Sequence, residues 1–209
     1  MPRPVAETIV VAGTDTGLGK TVVSAMLTLG LDGRYWKPVQ SGLEGETDTQ
    51  AVRRMTGLPA DRFFPEGYKL TRPLSPHAAA ELDGVSIDVE TLVPPRSDRP
   101  LIVELAGGLL VPLRRDVLQI DVVARWKAPV VLCARTALGT INHTLLSLEA
   151  LRARSIPLRG VLFVGDEMAK TQSTIAEIGR VPVMGRVPVL PKLDAASLKA
   201  AYESLVVPA

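Results

Sequence analysis

Short apolar runs rich in β-branched residues recur along the chain: "TIVVAG" at 8–13, "RYWKPV" at 34–39, "PLIVEL" at 100–105, "PVVLCA" at 129–134, "LRGVLFVG" at 158–165 and "VPVMG" at 181–185. Near-continuous hydrophobicity over so few residues is the pattern of strands covered on both faces, not of strands with one wet side. Between these runs the apolar positions spread to a longer period, which predicts helices over 20–31, 48–57, 116–126, 140–154, 169–179 and 194–205. In the fourth of these, Leu145, Leu146, Leu148, Ala150 and Leu151 make a broad apolar stripe, with Glu149 and Arg152 on the wetter side. Alternating strands and helices predict the α/β class, with a parallel sheet covered by helices.

The stretch 58–99 breaks the rhythm. Pro59, Pro65, Pro73, Pro76, Pro94 and Pro95 mark turns there, with Pro100 just beyond. An irregular connection of this length is expected to be a binding loop or an excursion over the surface. The length of 209 residues fits one domain spanning 1–209.

Composition narrows the function classes. With 46% hydrophobic and 22% charged residues the chain reads as a water-soluble globular protein, and 4% aromatic residues are too few for a base-stacking surface. The net charge is +2, and Arg53, Arg54, Arg96, Arg99, Arg114, Arg115 and Arg125 are scattered without a basic block, so no nucleic-acid partner is expected. The single cysteine, Cys133, lies inside "APVVLCA", which rules out a disulfide framework within one chain and reads as a small core residue. In "MPRPVAETIVVAG" Glu7 interrupts an apolar run too short for a signal peptide, and no stretch reaches the roughly 18 apolar residues of a spanning helix. The expected location is cytoplasmic, with no membrane partner.

The chemistry begins at "VVAGTDTGLGKTVVSAML", residues 10–27, where a strand runs into a glycine-rich turn and then a helix. Such a turn aims backbone N–H groups and the positive helix end at one point, which suits phosphate. Gly17 and Gly19 leave the approach open, Lys20 can neutralise β and γ oxygens, and the Thr21 hydroxyl can ligate Mg²⁺. The pattern G-x-x-x-x-G-K-[ST] would place glycine at 14, whereas this chain has Thr14 and its glycine at Gly13.

Three further residues bear on what is done to the nucleotide. Lys37 closes the second strand, where it reads equally as a group beside the phosphate turn or as a solvated lysine at a strand end. Asp48 reads equally as a helix N-cap. Glu104 stands inside the apolar run "LIVELAGG", and burying an unpaired carboxylate is costly, so a compensating cation is expected near it. If Thr21, Asp48 and Glu104 converge, they form an oxygen set suited to Mg²⁺.

"GTDTGLGKT", "KPVQSG", "PLSPHAAA", "VELAGGLLVPL" and "ALGTINHTLLSLEAL" stand in the order and spacing of the dethiobiotin synthetase family, and the chain resembles that family from about residue 8 to at least 191. The resemblance implies a three-layer P-loop NTPase-like fold and an ATP-dependent cyclo-ligase that turns 7,8-diaminononanoate and CO₂ into dethiobiotin. Carried over by motif, Thr16, Gly17, Leu18, Gly19, Lys20 and Thr21 wrap the phosphates, with Lys37, Lys20 and Thr16 as the catalytic residues. Thr21, Asp48 and Glu104 hold Mg²⁺, Leu105, Ala106 and Gly107 continue the nucleotide side, and Ser41 with Lys37 contacts the diamine or its carbamate.

The resemblance further implies a homodimer in which the diamine carboxylate meets the helix start at Gly139, Thr140, Ile141 and Asn142 of a neighbouring subunit. It assigns His77 to the substrate loop, and leaves His143 as structural. Two positions depart from the family. Gly165 stands where an asparagine commonly reads the adenine edge, which leaves base reading to the backbone near Pro188, Val189 and Leu190 and admits nucleoside triphosphates other than ATP. Leu105 stands where glycine is common, as a packing change behind Glu104.

Competing readings are a cobyrinic-acid-type amide ligase, a partitioning-type ATPase switch, and a nucleotide-binding module without catalysis. The first normally carries an attached glutaminase domain, for which 209 residues leave no room; the second needs a further lysine early in the phosphate turn, and positions 13–19 contain none.

Overall fold

The computed structural model describes residues 6–206; residues 1–5, which begin the segment weighed above as a leader, and residues 207–209 lie outside the described residues. In chain order the elements are β1 (Thr8–Gly13), α1 (Lys20–Gly30), β2 (Arg34–Trp36), β3 (Val39–Ser41), α2 (Asp48–Thr56), β4 (Tyr68–Leu70), α3 (Pro76–Leu82) and β5 (Leu101–Gly108). There follow β6 (Pro112–Arg114), β7 (Val117–Leu118), α4 (Gln119–Trp126), β8 (Val130–Arg135), α5 (Thr140–Ala153), β9 (Leu158–Val164), α6 (Ala169–Gly179), β10 (Val183–Val187) and α7 (Ala195–Glu203).

Six strands form one sheet in the order β10-β9-β8-β1-β5-β2, and all its pairs are parallel. Because side chains alternate across a strand, β1 serves both faces. Val10 and Ala12 enter a core with Ile120 and Val123 of α4, Leu148 and Leu151 of α5 and Ile175 of α6. Ile9 and Val11 enter the opposite core with Val23, Ala25 and Met26 of α1, Val52 and Met55 of α2 and Leu198 of α7. Helices therefore cover both faces, which is the three-layer α/β arrangement expected, and explains why the strands carry no polar alternation.

Several boundaries differ from expectation for local reasons. The run 34–39 is not one strand: the ladder of β2 with β5 ends at Trp36↔Val103, since Pro38 has no N–H to donate. The chain then turns into β3, which pairs with β4 in a separate small sheet. The helix expected from 116 starts at Gln119, because Val117 and Leu118 pair back on Pro112–Arg114. The Arg114–Asp116 ion pair, 2.7 Å from Nη2 to Oδ2, closes that hairpin.

The stretch 58–99 is more ordered than its prolines suggested. It holds a 3₁₀ turn at Ala60–Arg62 as well as β4 and α3, and Leu70, Ala79, Ala80, Ile87, Val89 and Leu92 pack with Val39 into a third apolar cluster. In α5 the buried positions are Thr140, Thr144, Leu148 and Leu151, a narrower stripe than expected. Leu146 is 56% exposed and lines a second cleft with His143, Ser147, Leu109 and Leu110.

β1 lies between strands that follow it on opposite sides, β5 on one and β8 on the other. At such a reversal the connections leaving the carboxyl ends diverge and open a crevice, the usual ligand position in open parallel sheets. The phosphate turn leaves β1 at this point.

Candidate active site

The turn Thr14–Gly19 folds back tightly over the end of β1. A Cβ on Gly13 would lie 3.0 Å from Asp15 O, from Leu18 Cδ2 and from Lys20 Cδ, so the glycine standing one position early lets the turn approach more closely than a side chain would without displacing its neighbours. Gly19, at φ 98°, is the N-cap of α1 and no side chain caps the helix. The first N–H groups of α1 are thus open to an anion. Asp15 Oδ1 accepts from the Thr16 N–H at 2.7 Å and Oδ2 pairs with Arg135 Nη2 at 3.2 Å, which braces the turn from β8.

Around the turn is a cleft of about 560 Å³. Thr16, Gly17, Gly19, Lys20 and Thr21 line it from the turn, Lys37, Ser41 and Asp48 from the β2–α2 side, Glu104, Ala106 and Gly107 from β5, and Pro73, Leu74, Ser75 and Pro76 from the loop before α3 and its first residue. Leu18 does not line it, because the residue is buried and packs in the core beneath α1. Leu105 likewise turns away from the cleft into the opposite core, and only its carbonyl faces inward, accepting from Lys37 Nζ at 3.3 Å.

At the floor of the cleft Thr21 Oγ1 lies 2.8 Å from Asp48 Oδ1 and 3.0 Å from Glu104 Oε1. Lys37 Nζ lies 2.7 Å from Asp48 Oδ2 and 3.1 Å from Glu104 Oε1. A hydroxyl carries one proton and can satisfy only one of the two carboxylate oxygens it touches. The two carboxylates and the hydroxyl suit the oxygen coordination of Mg²⁺, with positions left for water and phosphate.

Both open readings of the sequence resolve here. Lys37 is not a solvated strand-end lysine: its side chain is 4% exposed. Burial works against its ammonium form, but Glu104 and Asp48 outweigh that and hold its pKa above the ordinary value. Asp48 is not the N-cap of α2. That place belongs to Thr47, whose hydroxyl accepts from Gln50 N while Gln50 Oε1 accepts from Thr47 N, leaving the Asp48 carboxylate free to face Thr21 and Lys37. Burial pushes the Asp48 carboxyl up, but the Lys37 charge and the hydrogen bonds from Lys37 and Thr21 prevail and hold it below its usual value. Lys20 is lowered, chiefly by burial and then by Lys37, and donates to Asp15 O at 2.9 Å.

Three residues that the sequence did not single out hold this geometry. Gln40 Oε1 accepts from the Asp48 N–H at 3.1 Å, which ties the start of α2 to β3. Gln119 accepts from Ala106 N and donates to Ala106 O and Gly108 O, which fixes the end of β5. Tyr35 OH donates to Glu104 Oε2 at 3.0 Å, and burial, then Glu104, raises its phenol pKa well above the ordinary value. Only their positions inside apolar or strand-end segments marked them in sequence.

The sequence profile of the family described as an AAA domain matches residues 7–197. The ATP-dependent dethiobiotin synthetase BioD of Rhodopseudomonas palustris (strain HaA2) is 62% identical over 194 residues, covering 93% of this chain and 91% of its own length. Its namesake from Agrobacterium fabrum (strain C58 / ATCC 33970) is 57% identical over 193 residues, covering 92% and 91%. This chain belongs to the dethiobiotin synthetase family. The ParA family ATPase from Chlorobium tepidum TLS superposes with a TM-score of 0.58 at 10% identity, covering 95% of this chain and 98% of that one. A plasmid partition protein from Borrelia burgdorferi gives 0.54 at 10% identity, covering 95% and 97%. At that identity the likeness establishes the P-loop NTPase-type fold and nothing of function.

Not every residue carried over from the dethiobiotin synthetase motifs reaches the cleft. Gly139, Thr140, Ile141 and Asn142 open α5 and do not line it within one chain. Thr140 is buried while Asn142 faces outward. Gly165 and Pro188–Leu190 stand together at the carboxyl ends of β9 and β10, where Gly165 N donates to Val187 O at 2.9 Å. The neighbouring Val164 Cγ1 would be 3.0 Å from a Cβ on Gly19, so this edge abuts the phosphate turn. Gly165 has φ +121°, and a Cβ there would meet Thr136 Oγ1 at 2.5 Å. The departure at this position is thus built into the backbone, not merely a missing side chain.

Proposed function

We propose that the chain is an ATP-dependent dethiobiotin synthetase, acting on 7,8-diaminononanoate, CO₂ and a nucleoside triphosphate in biotin biosynthesis, with residues 1–209 working as one domain. The observation that carries this reading is the meeting of Lys37, Asp48, Glu104 and Thr21 at the mouth of an uncapped helix in a chain about as long as its 62% identical relative.

In the reaction one amine of the diamine adds to CO₂ and loses a proton, giving a carbamate. A carbamate oxygen takes the γ-phosphoryl group and releases ADP. The second amine then attacks the carbamoyl carbon, expels phosphate and loses its proton, closing the cyclic urea. Negative charge gathers at each stage on oxygens near the phosphate turn, and Lys20 and Lys37 are the cations this chain aims there. Gly17 and Gly19 would cradle the phosphates through backbone N–H groups, with Thr16 beside them in the cleft lining.

Thr21, Asp48 and Glu104 would hold Mg²⁺, which supplies charge neutralisation on the β and γ oxygens. Ser41 Oγ is buried at the cleft and has no hydrogen-bond partner, as fits a hydroxyl reserved for the diamine or its carbamate. Holding the carbamate in line with the γ-phosphate removes much of the entropic barrier.

The start of α5 would receive the diamine carboxylate in a homodimer, since its N-cap Gly139 offers no side-chain cap and an open helix start attracts carboxylates. No helix among the described residues is long and apolar enough to cross a membrane, and a cytoplasmic location agrees with the substrates. Incubation with 7,8-diaminononanoate, bicarbonate, Mg²⁺ and each nucleoside triphosphate in turn, followed by mass spectrometry, tests the reading. Dethiobiotin is expected with ATP; folded protein that makes none with any triphosphate would replace this reading with that of a nucleotide switch.

A further inference from the structure

Tyr35 and Glu104 are diagonal neighbours across the β2–β5 ladder. Tyr35 pairs with Ile102, and Glu104, two residues on, projects from the same face. The Tyr35 ring is fully buried, 6.2 Å from that of Phe63, so its hydroxyl has one fixed direction. That direction ends at Glu104 Oε2, 3.0 Å away.

The two oxygens of Glu104 thus have different partners. Oε1 faces Thr21 and Lys37 in the cleft, and Oε2 faces Tyr35 in the core. The last torsion of a glutamate is soft, and without a partner on Oε2 the carboxylate could turn or present both oxygens to a cation. A buried donor on one oxygen removes that freedom, as outer hydrogen bonds do for metal ligands generally.

We propose that Tyr35 is a positioning residue, which pins Glu104 through Oε2 so that Oε1 alone is presented to the magnesium ion that arrives with the nucleotide. The inference rests on the reading of Glu104 as a metal ligand. It gives the β2 strand a second task beside carrying Lys37, and assigns the phenol oxygen a role that filling the core does not require.

The test uses Tyr35→Phe, which keeps the ring and removes one oxygen. Mn²⁺ binding to the protein saturated with ADP, followed by electron paramagnetic resonance, is expected to weaken about 10- to 100-fold, with metal-free ADP binding unchanged. The Mg²⁺ concentration giving half-maximal dethiobiotin formation should rise by a matching factor. Glu104→Gln separates the two ideas: wild-type Mn²⁺ affinity in that variant would remove Glu104 from the metal site and the inference with it. Weakened affinity in Glu104→Gln beside wild-type affinity in Tyr35→Phe would overturn the role of Tyr35 alone. In the double variant Tyr35→Phe should add nothing to the loss already caused by Glu104→Gln; additive losses would mark Tyr35 as a general packing residue and overturn the proposal.

Discussion

The Lys37 ammonium lies 2.7 Å from Asp48 Oδ2, while the other oxygen of that carboxylate meets the Thr21 hydroxyl at 2.8 Å. With Glu104 Oε1 also within 3.1 Å of Lys37, the lysine neutralises the same two carboxylates that a divalent cation would use. Ammonium and metal therefore compete for negative charge at the floor of the cleft.

Replacement of Lys37 by Met keeps much of the side-chain volume and removes the charge. Dethiobiotin formation should fall by about 10² to 10³, the usual cost of losing one aimed donor at a developing charge. Mn²⁺ affinity without nucleotide should instead rise, by about tenfold on the Coulomb energy of a partly screened pair. Metal titration by paramagnetic resonance checks this, and an unchanged affinity would show that ammonium and cation use different oxygens.

The same pair sets a pH dependence. Asp48 is held below its usual 3.8 and Lys37 above its usual 10.5. The stability contributed by Asp48 is complete above 3.8 and drains as pH falls through the lower folded value. That contributed by Lys37 is complete below 10.5 and drains as pH rises through the higher folded value. The difference in urea midpoint between the wild type and Asp48→Asn should stay level from about pH 5 to about pH 9 and shrink below that range.

Gly165→Ala should destabilise the fold by about 1–3 kcal/mol, since the position has φ +121° and its Cβ would press on Thr136 Oγ1. Thr136→Ala removes that oxygen. The double variant should recover the steric share and retain the backbone share, so a urea double-mutant cycle is expected to give clear coupling; strict additivity would mean that Thr136 swings aside at no cost.

Cys133 is fully buried in β8 and burial pushes its thiol up to about 12. Native protein should leave this thiol unmodified by an aromatic disulfide reagent at neutral pH, and urea should release one equivalent of reaction. Fast labelling of the folded chain would reveal an opening of the sheet beside β1.

Much of the fold was legible because strands buried on both faces leave long apolar runs, and β1, β5, β8 and β9 are such strands. What was not legible turned on single residues acting on the backbone. Pro38 ends one ladder and lets β3 begin another; the Arg114–Asp116 turn shortens α4; and 58–99 conceals α3 because a helix of seven residues leaves little period to read. At the site, Lys37 and Glu104 stood out by charge in apolar surroundings. Asp48 stayed ambiguous until Thr47 took the capping role. Tyr35 and Gln40 were marked only by position, for a tyrosine or glutamine in a strand has many uses and only register tells which neighbour its polar end will meet.

The central place of β1 also governs the order of assembly on the ribosome. This strand leaves the exit tunnel ahead of the rest of the sheet, and among the described residues its ladder partners are β5 and β8, Thr8 waiting for Leu101 and Val10 for Val130. At about 5–20 residues per second, an unpartnered aliphatic strand stays in the nascent chain for several seconds, the interval in which open edges invite wrong partners. The nucleotide cradle thus becomes competent late in synthesis although it is encoded ahead of β5 and β8, and a chaperone that shields residues 8–13 would act most strongly before β8 emerges.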